Sequence, residues 1–494
     1  MEISTHTETK STKHRPLSVE SFVNSYHERT AQSKQHADKV ASFLADKSSI
    51  AANRNLLTRD LAYPIVVQRA QGSRVWDIDG NEYFDVLQGL GTNLFGHNPD
   101  FVQKAIADRL QEGFPIGVQT ELAGQVARQL VDITGMPRVC FSNTGTEAIM
   151  TAIRVARAHT RRQKIVIFSN SYHGHSDSVL MRAPITEYVR RKLVGWLPKA
   201  GFTAPLRSLL GAGQRGHAVA ASPGIPKSIA KDVVVLQYGN DASLDWIKRK
   251  GRDVAAVLVE PVQSRSPELQ PGEFLTALRE ATRGCGALLI FDEMVTGFRI
   301  HPGGAQAYFK VDADLVTYSK IVGGGLPLSV IAGREGPMKS LGSGETNASD
   351  RTVFFAGTFC KHPLSLVAAQ AVLAKLISEG PELQAKLNRR TEKFVGQLNE
   401  QASSFKLPLR YTHFGSFFSI AASESELAPE SYAWLSYLLI HDGVFMRGGD
   451  RGGFLTTAHT DADLSNMLHV FANGMQYLQR IRTTENDTTN KLAY

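Results

Sequence analysis

Between about residues 138 and 335, short and almost unbroken apolar runs alternate with stretches of helical periodicity: VCF at 139–141, KIVIF at 164–168, VAAVLVE at 254–260, ALLIF at 287–291 and DLVTYS at 314–319. Uninterrupted apolar runs imply strands covered on both faces, and the helices between them supply the cover. The pattern predicts an α/β fold with a mostly parallel sheet between helices. In such sheets ligands gather at the carboxyl ends of the strands, so the polar residues that follow each run become the candidates for chemistry. Upstream, RVWDIDGNEYFDV at 74–86 alternates apolar and polar positions around Asp79 and Gly80, which predicts a β-hairpin with a tight turn. Phe22, Val23, Tyr26, Val40, Phe43 and Leu44 fall near helical spacing among charged residues and predict an amphipathic arm. It would pack either on the body or on a second subunit. Gly, Ala, Pro and Ser crowd residues 195–230, which read as a long loop or insertion.

These patterns divide the chain into a tail and helical arm over 1–50, an N-terminal segment packing with a small domain over 51–105, a large ligand-binding domain over 106–365, a smaller α+β domain over 366–480, and a frayed tail over 481–494. The 494 residues, 42% hydrophobic and 21% charged, suit a large buried core. The first 15 residues lack the apolar stretch of a secretion signal, and no run approaches the roughly 18 apolar residues that span a bilayer. Cys140, Cys285 and Cys360 show no paired ligand spacing, which speaks for neither a disulfide framework nor a metal site and makes a reducing cytoplasm the simplest setting. A formal charge of +8 raises the question of an acidic partner. The basic clusters at 161–164, 190–192 and 248–252 lack interleaved aromatics, and they read as solvated helix faces rather than a nucleic-acid surface.

Four places carry candidate chemistry. Ser142-Asn143-Thr144-Gly145-Thr146-Glu147-Ala148 follows a short strand and opens a helix; glycine, flanking hydroxyls and unpaired first-turn amides suit a phosphate monoester, or equally a plain helix cap. Asp292 ends ALLIF, where a buried carboxylate needs a positive partner, either a protonated ring nitrogen or a structural group. Lys320 leaves DLVTYS ahead of a glycine-rich turn; desolvation there would favour its reaction with a carbonyl, while snorkelling to the surface is the usual fate of the residue type. Tyr172-His173-Gly174-His175 offers an aromatic face and imidazoles after KIVIF; no carboxylate or thiolate spacing completes a metal shell with them.

In order and spacing these segments resemble the class III aminotransferases of fold type I, which include glutamate-1-semialdehyde aminomutases. The likeness runs from about residue 55 to about 475 and is carried by SNTGTEA (142–148), YHGH (172–175), FDEMVTGFR (291–299), YSKIVGGGLP (318–327) and AGTF (356–359). Within that family, LAYPIV (61–66), QSRSPELQPGEFL (263–275) and FRIHPGGAQAYF (298–309) look like the aminotransferase domains of hybrid polyketide/nonribosomal peptide synthetases. The resemblance implies pyridoxal 5′-phosphate as cofactor, attached to Lys320, with Asp292 on its ring nitrogen. It further implies Thr144, Gly145 and Thr146 around the phosphate, Thr358 reaching it from the neighbouring subunit of a homodimer, and Tyr172 stacked on the ring beside His173. Met294 would lie against the opposite face, and Glu260 and Gln263 near the polar edge.

The implied activity is transfer of an amino group from an amino-acid donor to a ketone or aldehyde of secondary metabolism, such as a β-ketoacyl group on an acyl carrier protein. Two other readings remain: an aminomutase, which needs no outside donor, and a non-catalytic protein of the same fold. Arg447 in MRGGDRGGF is a candidate to grip a substrate carboxylate, with a structural role as its alternative.

Overall fold

In the computed structural model, which describes residues 18–45, 58–184, 186, 217–342, 352–421 and 423–491, the apolar runs form the expected sheet. Strands β1 (Arg138–Ser142), β2 (Lys164–Phe168), β3 (Val233–Leu236), β4 (Val254–Val259), β5 (Leu288–Asp292), β6 (Leu315–Tyr318) and β7 (Ser329–Gly333) lie in the order β1-β7-β6-β5-β4-β2-β3. The pairings from β6 across to β3 are parallel, while β7 runs against both its neighbours. Helices cover both faces. Val254, Val257 and Val259 of β4 join Leu275 and Leu278 of the helix Gly272–Cys285, and Ala256 and Leu258 join Ile149 and Ile153 of the helix Gly145–Thr160. Each large aliphatic side chain so buried contributes about 1.5–3 kcal/mol.

The predicted hairpin forms from Arg74–Asp77 and Glu82–Asp85. Asp77 Oδ1 accepts from the amides of Asp79 (3.0 Å) and Asn81 (2.7 Å), and Gly80 takes the left-handed conformation (φ +83°) that closes the turn. Val444–Phe445 adds to it in parallel, so a strand from late in the chain completes the early sheet. Tyr411–Phe414, Phe417–Ile420 and Gly452–Phe454 make a further antiparallel sheet. The arm folds as helices Val19–Arg29 and Ala31–Val40 and packs on the body: Phe22 lies 5.5 Å from the Trp434 ring and 6.2 Å from that of Tyr477, and Ser25 Oγ is 3.0 Å from His441 Nε2. Phe43 and Leu44 stay exposed.

Three expectations change. Residues 1–17 and 195–216 lie outside the described residues, but 217–230 are not merely loop, because Val219–Ala220 pairs antiparallel with Met181–Arg182. The expected frayed end at 481–491 is helical: the helix Asp461–Lys491 is anchored by buried Met467, Phe471, Met475 and Leu478, and extending a nucleated helix adds one hydrogen bond per residue fixed. In the first basic cluster Arg162 turns inward to the carbonyls of Val254 (3.1 Å) and Cys285 (2.9 Å). Among the described residues no helix is long and apolar enough to cross a membrane.

Candidate active site

The polar residues at the ends of β1, β2, β4, β5 and β6 meet along one edge of the sheet. Asp292 closes β5, and its Oδ2 lies 2.7 Å from Nδ1 of His173, both side chains being buried. Its other oxygen accepts the Met294 amide at 3.1 Å. Nε2 of His173 is buried with no hydrogen-bond partner among the described residues. Glu260, the residue after β4, accepts the amides of Tyr172 (3.0 Å) and Ser264 (3.3 Å). Burial pushes its carboxyl up, nearby His173 pulls it down, and Asp292 adds to the rise. Gln263 donates to the carbonyl of Ser169 at 2.9 Å and so ties the loop after β4 to the loop after β2.

Lys320 stands two residues beyond β6 in a left-handed conformation (φ +53°) that non-glycine residues rarely adopt, the kind of backbone found where a site demands it. Its ammonium is pulled down from the usual 10.5 to about 8, first by burial and then by the charge of Arg299, with Asp292 and Glu260 partly offsetting both. Its amine has no hydrogen-bond partner among the described residues. An amine in this state is both a better nucleophile and a better base near neutral pH.

In the 142–148 segment the helix-cap reading holds. Thr144 caps the helix Gly145–Thr160: its hydroxyl accepts the Glu147 amide (3.2 Å), while Glu147 Oε2 accepts the amides of Asn143 (2.8 Å) and Thr144 (3.2 Å). The amides of Gly145 and Thr146 are left without an acceptor among the described residues, at the positive end of a 16-residue helix. The cradle is tight. A Cβ at Gly145 would come 2.9 Å from Met294 Sδ, and one at Gly174 (φ +86°) 2.5 Å from Thr146 Oγ1. Tyr172 is half exposed, with the Arg265 guanidinium 5.8 Å from its ring centre.

Two candidates stand apart. Thr358 is exposed on a turn beside Asn143, whose Nδ2 lies 3.7 Å from Cys360 Sγ. Arg447 is occupied by Asp450 through two 3.0 Å bonds, which favours its structural reading over carboxylate capture. His175 is exposed while His173 is buried, so the two do not face a common ion, and the described residues hold no cluster arranged for a metal. Sequence reasoning gave no role to two buried ionisable groups in FDEMVTGFR. Glu293 accepts from the Ala305 (2.6 Å) and Gln306 (2.9 Å) amides and the Thr296 hydroxyl (3.1 Å), and burial raises it to about 7. Arg299 is buried without a carboxylate partner among the described residues. Charged residues inside a mostly apolar stretch were the available signal.

Residues 58–451 match the family model described as Aminotransferase class-III. The chain is a class-III aminotransferase. Its cofactor is therefore pyridoxal 5′-phosphate, and the enzyme belongs to the fold type I architecture that the sheet displays. Among curated relatives, this aminotransferase is 31% identical over 460 residues to a glutamate-1-semialdehyde 2,1-aminomutase of Chloroflexus aggregans, covering 89% of this chain and 98% of the relative. It is 35% identical over 420 residues to the protein of that name from Sulfurihydrogenibium azorense, covering 82% and 90%. Among solved structures it matches an omega-transaminase from Sphaerobacter thermophilus at 25% identity and a TM-score of 0.78, covering 92% of this chain and all of that one.

Proposed function

We propose that this aminotransferase moves an amino group from an amino-acid donor to a ketone or aldehyde, with Lys320 Nζ as the proton carrier. The observation that carries the reading is the meeting of Lys320, desolvated and depressed in basicity, with the buried His173–Asp292 pair at the ends of adjacent strands, where Asp292 is in register with Thr317. The residues present fit the cofactor. Asp292 supplies the carboxylate a ring nitrogen needs in order to stay protonated, and His173 orients that carboxylate. The free amides of Gly145 and Thr146 face an anion's site, and the Thr144 hydroxyl, accepting through a lone pair, keeps its proton to donate. Tyr172 and Met294 would hold the two ring faces, with Glu260 and Gln263 at the polar edge. When bound, the cofactor supplies an electron sink that stabilises negative charge at the substrate carbon. Lys320 Nζ takes the proton from that carbon and returns it, which an amine with a pKa near neutrality does best.

The enzyme would work as a homodimer in the cytoplasm. Phe354 and Phe359, 80% and 56% exposed, flank the exposed Thr358, a stretch suited to cover by a second copy in which Thr358 of the partner subunit would reach the phosphate. The finer reading of the acceptor is a β-ketoacyl group of secondary metabolism on a carrier protein, supported by the synthetase-like segments at 61–66, 263–275 and 298–309 and by the +8 charge, which suits an acidic partner. The names of the curated relatives favour a second reading, an aminomutase that shifts the amino group within one molecule.

Omitting the amino donor separates the two. Transfer to a simple ketone should stop without donor and resume with glutamate, glutamine or alanine; full conversion of glutamate-1-semialdehyde with no donor present would establish the aminomutase instead. A second measurement reads the lysine directly. Only the uncharged amine attaches cofactor, so attachment to cofactor-stripped enzyme should speed up about tenfold per pH unit until about 8 and then level off. A rate still climbing towards 10.5 would mean that Lys320 is an ordinary exposed lysine.

A further inference from the structure

Residues 88–91 form a short helical turn of the wrong hand. Gln88, Gly89, Leu90 and Gly91 have φ values of 45°, 60°, 58° and 89°, a run of four that L-residues avoid, and two of them are not glycine. Such backbone persists only where its surroundings over-determine it. At the entry, Asp85 Oδ1 accepts the amides of Leu87 (2.7 Å) and Gln88 (3.0 Å), while Oδ2 lies 2.6 Å from His97 Nε2. At the exit, the Gly91 carbonyl accepts from Nη2 of Arg299.

Arg299 is 2% exposed and serves three separate segments. Nη1 donates to Ser416 Oγ at 2.8 Å, Nε donates to the Val295 carbonyl at 3.2 Å, and the guanidinium lies 4.8 Å from the centre of the Phe454 ring. That ring also closes on the turn, since a Cβ at Gly91 would come within 2.7 Å of it. A buried cation with no carboxylate partner among the described residues is costly unless every donor direction is used, and here a planar fork reaches two carbonyls and a hydroxyl at once. The turn borders the reacting lysine's own segment: a cavity of about 420 Å³ is walled by Gly89, Thr92 and Asn93 on one side and by Ile321, Gly324 and Leu326 on the other.

We infer that Arg299 is a positioning residue for amino transfer: its guanidinium fixes the left-handed turn Gln88–Gly91 as a wall of the substrate site beside Lys320. The inference rests on the transfer function proposed above and adds a residue whose hydrogen bonds go to the turn, to Ser416 and to its own segment. It acts on the turn through the Gly91 carbonyl and on Lys320 through its charge. Arg299 is among the groups that hold the Lys320 amine low.

The test compares holoenzyme with Arg299→Lys, which keeps the charge and loses the fork, and Arg299→Met, which keeps the bulk and loses both. Hydrogen–deuterium exchange over residues 87–94 should accelerate ~10-fold or more in both variants, with the central strands unchanged. KM for the carbonyl acceptor should rise ~10-fold in both variants while cofactor stays bound, with kcat altered less than ~3-fold in Arg299→Lys, which keeps the charge that holds the Lys320 amine low. Unchanged exchange over 87–94 overturns the inference, and so does faster exchange spread over the whole chain, which signals a merely structural residue. A drop in kcat with KM unmoved in Arg299→Lys overturns it as well. If Arg299→Met does not fold, Arg299→Lys decides alone. Exchange is read without turnover, so a wild-type protein that fails to transfer amino groups refutes the function above without touching this result.

Discussion

Lys320→Ala is expected to cut amino transfer by at least ~10⁴-fold, because no other amine among the described residues stands at that strand end to carry the proton. The variant should still fold. The lysine amine is desolvated and has no hydrogen-bond partner among the described residues, so truncating it relieves a buried charge and leaves no partner stranded. Three readouts together define the result: a thermal unfolding midpoint equal to or above that of the wild type, cofactor that borohydride no longer fixes to the chain, and transfer at background. Turnover within tenfold of wild type in a cofactor-loaded variant would remove Lys320 from the centre of the mechanism.

Asp292→Asn should be the second most damaging change, lowering kcat by ~10²–10³-fold with a small effect on KM. The amide preserves the shape and can still face His173 Nδ1, now 2.7 Å from the carboxylate, but it brings no negative charge to keep a ring nitrogen protonated. Loss of charge without loss of shape is the point of the substitution. Single-turnover kinetics with the donor should show the proton-transfer step slowed while cofactor content stays near one per chain. A variant with normal single-turnover rates would assign Asp292 to structure, as a buried partner of His173 alone.

Much of this arrangement is legible in the sequence, and the reason is local. A strand buried on both faces leaves an apolar run, so Asp292 at the end of ALLIF and Lys320 just after DLVTYS announce themselves as polar residues where the sheet stops. The same logic finds His173 after KIVIF, whereas Glu260 is named by the family resemblance alone. It misses β7 (Ser329–Gly333), a short run that follows closely on the glycine-rich turn, and β3 (Val233–Leu236), which follows the 195–230 stretch. It also misses the link between Arg299 and Gly91. Those residues are 208 positions apart, and neither hydrophobic periodicity nor turn chemistry reports a hydrogen bond formed only when the sheet and the early hairpin have come together. The left-handed turn itself escapes because Gln88 and Leu90 are not residues that signal positive φ.

The pairing of β2 with β3 has a consequence for how such a chain can change over time. Ile165 and Val233 are neighbours in the sheet, as are Phe168 and Leu236, although residues 169–232 separate the two strands along the chain. Once both are hydrogen-bonded, the length of what lies between matters little, since doubling a flexible loop costs only about 0.6 kcal/mol. Insertion, loss or exchange of sequence beyond the Ser169–His175 stretch of that interval can proceed while His173, Glu260, Asp292 and Lys320 keep their places, because each follows closely on the end of a strand. Novelty is cheap between the strands and expensive at their ends, so descendants of such a chain can diverge in what they bind while sharing one reaction centre.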